Sequence, residues 1–189
     1  MAATGSKVVK IFAGGFAVGA VASLTLFDNV GYLATVDGKS MQPVFNPSSS
    51  PSRDVVFLSR MGVRDGNIKR GDIVSLASPR QANETLIKRV IALEGDRIKT
   101  LTYKNRYLVV PEGHCWIEGD HNSVSLDSNV FGPVSLGLVH AKASHIVWPL
   151  RRVQRIQTQL PPGRGPIGGE GKEREEEEEE EQITLPMAV

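Results

Sequence analysis

The middle of this 189-residue chain constrains its fold most. From Val36 to about Trp148, short β-rich runs alternate with turn signals, and no long 3.6-residue periodicity interrupts them. The runs are Asp54–Ser59, Asp72–Ala77, Leu86–Leu93, Arg97–Leu101, Arg106–Val110, His114–Glu118 and Leu138–Val147. Between them stand Arg70-Gly71-Asp72, Glu94-Gly95-Asp96, Pro111-Glu112-Gly113 and Gly119-Asp120, all turn-forming by backbone chemistry. Strands this short cannot bury a face alone and must pair with one another. The pattern predicts one all-β domain of short antiparallel strands.

Ahead of that domain, Ile11–Phe27 runs without a charge and is closed by Asp28. As a helix it spans roughly 25 Å, the short end for a bilayer core. Continuation through Asn29–Val36 would lengthen it, with Asp28 left at its edge. A cleaved signal sequence and a buried core helix are the competing readings of the same residues. Segment length and flanks favour an uncleaved anchor. Lys7 and Lys10 precede it while Asp28 and Asp37 follow, which keeps the N-terminus on the inner side. The expected organisation is an inner segment over 1–10, a transmembrane anchor over 11–30, a β domain over 31–150, and a tail over 151–189.

The formal net charge of +1 hides two unlike parts. Nine glutamates between Glu170 and Glu181, against Lys172 and Arg174, give that stretch −7 and leave +8 on the rest. The basic excess is scattered over strands and loops with no helix to present it, so nucleic acid is not an expected partner. Arg151, Arg152 and Arg155 are instead placed to meet anionic lipid head groups. Pro161–Gly171 and the glutamate run carry too little apolar surface to offset ordering entropy and are expected to be disordered. Asn46–Arg53 (NPSSSPSR) reads as a flexible loop. The single cysteine, Cys115, excludes an internal disulfide and an all-thiolate metal site, and a buried thiol is expected.

Candidate chemistry starts at Ser40, in Asp37-Gly38-Lys39-Ser40-Met41-Gln42-Pro43. Gly38 opens backbone conformations closed to other residues, and Pro43 stiffens the exit. A serine in such a loop is by itself ordinary turn chemistry. Lys88 adds weight. Strand alternation puts it on the face of Leu86, Val90 and Ala92, and desolvation there lowers an amine's affinity for its proton. A neutral lysine can take the proton of a serine hydroxyl. Arg89 cannot, because a guanidinium stays protonated. The alternative for both residues is a pair of edge-strand charges that discourage aggregation. His114, His121, His140 and His145 leave a Ser/His/Asp triad open on counting alone, although no G-x-S-x-G elbow occurs. As zinc ligands, His114 and His121 lack the spacing of a helical site.

Four segments taken together resemble a known family. Gly38–Pro43, Gly71-Asp72-Ile73-Val74, Ile87–Asp96 and Gly119–Ser128 resemble, in order and spacing over positions 30–148, the signature boxes of the type I signal peptidases. Asp127-Ser128-Asn129 and the continuation Phe131–Leu138 are most similar to the mitochondrial inner membrane branch of that family. The resemblance implies an all-β fold and a Ser/Lys dyad with no cofactor and no metal. On this sequence Ser40 would be the nucleophile and Lys88 the general base. Ser125 would orient the lysine, Asp127 would be a structural carboxylate nearby, and Met41 would line the site near the scissile bond. Gly38 stands where many bacterial members carry a hydroxyl oxyanion donor, which leaves the second donor unassigned. Asn129 stands where many carry arginine, so local hydrogen bonds rather than an ion pair would hold Asp127.

The same resemblance implies a single-pass protein of the mitochondrial inner membrane, its catalytic domain facing the intermembrane space. Its substrates would be precursors with hydrophobic sorting signals, and its partners the bilayer and a homologous second subunit. The runner-up is a non-catalytic, membrane-tethered β module serving as partner subunit. A self-cleaving repressor shares such a dyad, but no helix-turn-helix precedes the β domain here.

Overall fold

The computed structural model describes residues 30–167, apart from Arg64 and Ala82. The anchor expected over 11–30 and the glutamate run thus lie almost wholly outside the described residues. No helix among those described is long and apolar enough to cross a membrane.

Ten strands carry the fold: β1 Gly31–Thr35, β2 Val55–Ser59, β3 Ile73–Ala77, β4 Thr85–Leu93, β5 Arg97–Lys99, β6 Tyr107–Val109, β7 His114–Glu118, β8 Val134–Ser135, β9 Val139–Trp148 and β10 Gln154–Arg155. Eight form one antiparallel sheet in the order β1-β2-β9-β3-β4-β7-β8, with β10 added against β9, while β5 and β6 make a separate hairpin. The all-β class is as expected. Three strands escaped the sequence pattern. β8 and β10 have only two residues each, below the length at which period two can be read. β1 was hidden in the apolar continuation Asn29–Val36. Its five residues pair with β2, from Gly31 opposite Ser59 to Thr35 opposite Val55, so they do not prolong a membrane helix.

Burial explains the order. β3 is buried at Ile73, Val74, Ser75 and Leu76 in succession, as a strand covered on both faces must be. β9 alternates inward Val139, Ala141 and Ala143 with outward His140 and Lys142, then slips a residue so that Ile146 resumes the buried side. The slip coincides with the irregular pairing between Phe57 and Leu58 of β2. Three apolar clusters result. One gathers Val36, Met41, Phe45, Val56, Leu58 and Ile73. A second joins Val74, Leu76, Val90, Cys115 and Ile117, and a third joins Ile91, Ala92, Ile98, Val110 and Trp116. Burying each large side chain contributes about 1.5–3 kcal/mol. The alternation expected to put Ala92 with Val90 fails at the irregularity between Val90 and Ala92, which sends Ile91 and Ala92 together into the third cluster.

The chain does not leave the domain at residue 150. After a 3-10 turn at Leu150–Arg152 and strand β10, it runs back over the sheet as a strap. Ile156 packs on the first cluster and Leu160 on the third. Thr158 donates to Asp72 at 2.6 Å, and the Ile167 N–H donates to the Arg97 carbonyl at 2.6 Å. Disorder from Pro161 onward is therefore wrong as far as Ile167. Arg152 is also not a free lipid contact: it pairs with buried Asp54 at 2.5 Å and donates to the Val44 carbonyl at 2.9 Å.

Candidate active site

The Ser40 loop is held by apolar anchors on both sides of the hydroxyl. Val36, Met41 and Phe45 sink into the first cluster, while Ser40 between them stays half-buried. Two backbone bonds tighten the turn, Gln42 N–H to the Lys39 carbonyl and Phe45 N–H to the Met41 carbonyl. Asn46 braces the entry, donating through Nδ2 to the carbonyls of Val36 at 2.8 Å and Gly38 at 3.2 Å. Its backbone N–H donates to Asp54 Oδ2, and its Oδ1 accepts from the Asp54 N–H, both at 2.7 Å. Asn46 was read from sequence as a flexible-loop residue and Asp54 as the start of a strand. A composition scan hides such braces, because the bonds join positions eight residues apart. Gly38 takes φ +81° and its Cβ position faces open space, so it leaves a smooth wall beside the serine.

Lys88 reaches this loop from β4, where it pairs with Val74 of β3. Its Nζ lies 2.7 Å from Ser40 Oγ, hydrogen-bonded to it. Lys88 is 3% exposed, and burial pushes its ammonium below lysine's ordinary range; Asp127, Glu84 and Asp120 oppose that shift. Arg89 beside it is buried too, so neither residue is an edge-strand charge. The guanidinium forks onto Asp120 at 2.7 and 2.8 Å and also donates to the carbonyls of Gly71 and Gln159, each at 2.9 Å. It thus ties three motif segments and the strap together. A Cβ at Gly71 would lie 2.7 Å from the Gln159 backbone, which leaves room there only for glycine.

The third wall is the loop after β7. The His121 N–H donates to the Ser40 carbonyl at 3.0 Å, fixing the loop to the serine. Asp127 Oδ2 accepts from the Gly119 N–H at 3.0 Å, and Oδ1 accepts from the Asn129 N–H and Nδ2. These bonds cap the short helix α1, Ser128–Phe131. Among the described residues no cation pairs with Asp127. Asn129 Nδ2 also donates to Glu118, whose charge is met by Arg164 of the strap and by Trp116 Nε1. Ser125 does not bond Lys88: its buried Oγ has no partner among the described residues. It packs instead at Gly119, where an added Cβ would lie 2.7 Å from Ser125 Cβ and closer still to Ser125 Oγ and the Ser40 carbonyl. Gly119 was visible in the sequence only as a turn former; its fit depends on two segments that meet in three dimensions.

The histidines bond elsewhere. His114 Nδ1 lies 2.7 Å from the Glu112 carbonyl, His121 Nδ1 lies 3.2 Å from Ser123 Oγ, and His140 and His145 are exposed on β9. No imidazole stands at Ser40, which removes the triad alternative. Cys115 is buried, and burial alone pushes its thiol up to about 12.

A cleft of about 640 Å³ opens on Ser40 and Lys88. One side is β1, whose edge away from β2 has no strand partner among the described residues. The other is Thr85–Lys88, where β4 pairs only with β3, since β7 joins it from Arg89 onward. Two unpaired strand edges beside a buried amine and a hydroxyl can hold an extended peptide and attack it. Ser40's own backbone N–H donates to no group among the described residues, so it is available to a carbonyl oxygen.

Comparison with known proteins identifies the family. The model of the family described as signal peptidase, peptidase S26, matches residues 6–105 and 98–148. Mitochondrial inner membrane protease subunit 2 from Danio rerio is 55% identical over 163 residues, covering 86% of this chain and 89% of that protein. The Homo sapiens protein of the same name is 52% identical, covering 87% of this chain and 94% of its own length. Mitochondrial inner membrane protease subunit 1 from Homo sapiens is 37% identical over 127 residues. Among solved structures, a signal peptidase I from Enterococcus faecalis V583 covers 40% of this chain and 95% of its own, at 23% identity and a TM-score of 0.35. The chain belongs to the signal peptidase family, peptidase S26, and is a serine protease of that family.

Proposed function

We propose that the protein is a membrane-anchored endopeptidase that removes hydrophobic sorting peptides from precursors delivered to the mitochondrial intermembrane space. The observation that carries the mechanism is the 2.7 Å contact between Lys88 Nζ and Ser40 Oγ, with the lysine buried. Burial keeps part of the amine neutral, so its lone pair can accept the serine proton as Oγ attacks the scissile carbonyl. The developing oxyanion meets the Ser40 N–H. Collapse transfers the proton from Lys88 to the departing amine and leaves an ester on Ser40. Water, deprotonated by the same amine, then releases the precursor's sorting peptide. Asp127 stabilises the charged amine at a distance, and Ser125 keeps the lysine-orienting role only on the family's pattern, since its Oγ is unbonded among the described residues.

The substrate binds extended, hydrogen-bonding to the open edges of β1 and Thr85–Lys88, with small side chains beside the cut near Met41. The uncharged run Ile11–Phe27 tethers this cleft to the membrane surface, single-pass, with the catalytic domain in the intermembrane space. The names of the relatives support the compartment, and the subunit 1 relatives support a heterodimer with a homologous subunit 1.

Detergent-solubilised full chain, with and without subunit 1, should be incubated with intermembrane-space precursors and the new N-termini read by mass spectrometry. Ser40→Ala and Lys88→Ala should each abolish cleavage while leaving the protein folded. Retained processing in a Ser40→Ala complex would instead mark the chain as a non-catalytic β module.

A further inference from the structure

Buried polar side-chain atoms without partners are rare, because each forfeits its hydration. Among the described residues four such atoms remain: Asp54 Oδ1, Ser75 Oγ, Glu84 Oε2 and Ser125 Oγ. The first belongs to a carboxylate already paired with Arg152 through its other oxygen. The other three surround one place. Ser75 and Glu84 line the cleft that holds Ser40 and Lys88, and Ser125 packs against the Ser40 carbonyl through Gly119. Ser75 and Ser125 are neutral hydroxyls. Glu84 is different, since a carboxylate can only accept while it is ionised.

The local fold holds Glu84 in place without engaging its side chain. Its backbone N–H donates to the Gln81 carbonyl at 3.3 Å, and its carbonyl accepts from the Ser78 N–H at 2.8 Å. This closes the turn that feeds β4. The side chain, half-buried, is left facing the cleft with no bond or ion pair to any described residue. Glu84 stands just before the open edge Thr85–Lys88, and Lys88 lies four residues further on, about 13 Å along the chain at about 3.3 Å per extended residue. A substrate strand alongside rises at the same rate. Glu84 therefore faces a substrate position about four residues from the one beside the dyad.

We propose that Glu84 is a specificity-determining residue whose carboxylate accepts a hydrogen-bond-donating, preferentially cationic, substrate side chain about four residues from the scissile bond. A cation is favoured over a neutral donor because charge-assisted bonds in a partly desolvated cleft are roughly twice as strong as neutral ones. The other charges lining the cleft form no bond to Glu84: Asp37 pairs with Arg53, and Lys39 is exposed. Lys88 bonds Ser40 and meets Glu84 only through space, by coulombic attraction. This inference rests on the extended binding mode proposed above.

The test uses the full chain in detergent and a parent peptide that it cleaves. Lysine or its uncharged isostere norleucine is placed in turn at each of the five positions on either side of the cut. Wild-type protein should show one position where lysine raises kcat/KM about tenfold over norleucine. Glu84→Gln should bring that ratio within about threefold, and Glu84→Lys should favour glutamate at the same position. Each ratio is internal to one variant, so a partial loss of folded protein cancels. No position where Glu84→Gln changes the ratio by more than twofold would overturn the proposal. Cleavage of the parent peptide by wild type but not by Ser40→Ala separates that outcome from failure of the catalytic reading.

Discussion

Substituting Gly119 by alanine tests whether the loop after β7 positions Ser40, the proposed nucleophile, rather than merely lying near it. The residue sits between the Ser40 carbonyl and the Ser125 side chain, in a backbone conformation open to any residue, so only the added methyl acts. The new Cβ would lie 2.7 Å from Ser125 Cβ, against a floor of 3.0 Å, and nearer still to the Ser40 carbonyl oxygen. Ser125 must retreat by at least a few tenths of an ångström and the Ser40 backbone by more. Displacement of a reacting group by about 1 Å lowers rates by about 10²-fold, so roughly tenfold in kcat follows for about half that movement. KM should change less, because the open edges of β1 and β4 are untouched. The assay is steady-state cleavage of a quenched fluorescent peptide, with circular dichroism melting to establish that the variant folds. A well-folded Gly119→Ala protein with kcat within twofold of wild type would refute this account of the loop.

Three other outcomes follow from the geometry. Lys88→Met should abolish cleavage yet leave the protein as stable or more stable near neutral pH. Below its folded-state pKa the buried amine is charged at a desolvation penalty, which fades as pH rises towards the ordinary 10.5. The melting-temperature gap between Lys88→Met and wild type should therefore narrow between neutral pH and pH 10, and a constant gap would contradict the depressed pKa. Truncation after Ile167 should leave folding and cleavage unchanged, whereas truncation after Arg155 exposes or unpairs Asp72, Arg89 and Glu118. Removing the partner of a buried charge costs about 3–5 kcal/mol, so urea unfolding should shift to markedly lower midpoints. Cys115, buried and with its thiol held up to about 12, should resist alkylation at pH 8 until the chain is unfolded.

The strand pattern was legible because it depends on neighbours in sequence. Short apolar, β-branched runs bounded by turn residues read as strands, so Asp72–Ala77 and His114–Glu118 announce themselves, and the turns between them follow from Gly and Asp. Ser40 and Lys88 stood out through motif spacing and through the oddity of a lysine in an aliphatic strand. β1 did not, because GYLAT after an apolar run reads equally as the end of a helix. Its pairing with β2, more than twenty residues on, decided the matter. The strap was misread for a similar reason. Prolines and glycines in Pro161–Ile167 predict disorder locally, while Arg164 finds its partner in Glu118, 46 residues earlier.

By itself, then, the sequence determined an all-β domain, the chemical pairing of a hydroxyl with a desolvatable amine, and the charge separation between body and tail. These depend on side-chain chemistry and on short-range periodicity. Tertiary structure alone decided that Arg89 joins three motif segments to the strap, that Gly119 must be glycine, and that Ser125 leaves the lysine unbonded. It also left the Glu84 carboxylate facing the cleft without a partner. Each of these is a contact between residues remote in the chain, set by how strands stack and curl, and no local pattern encodes which remote atoms will meet.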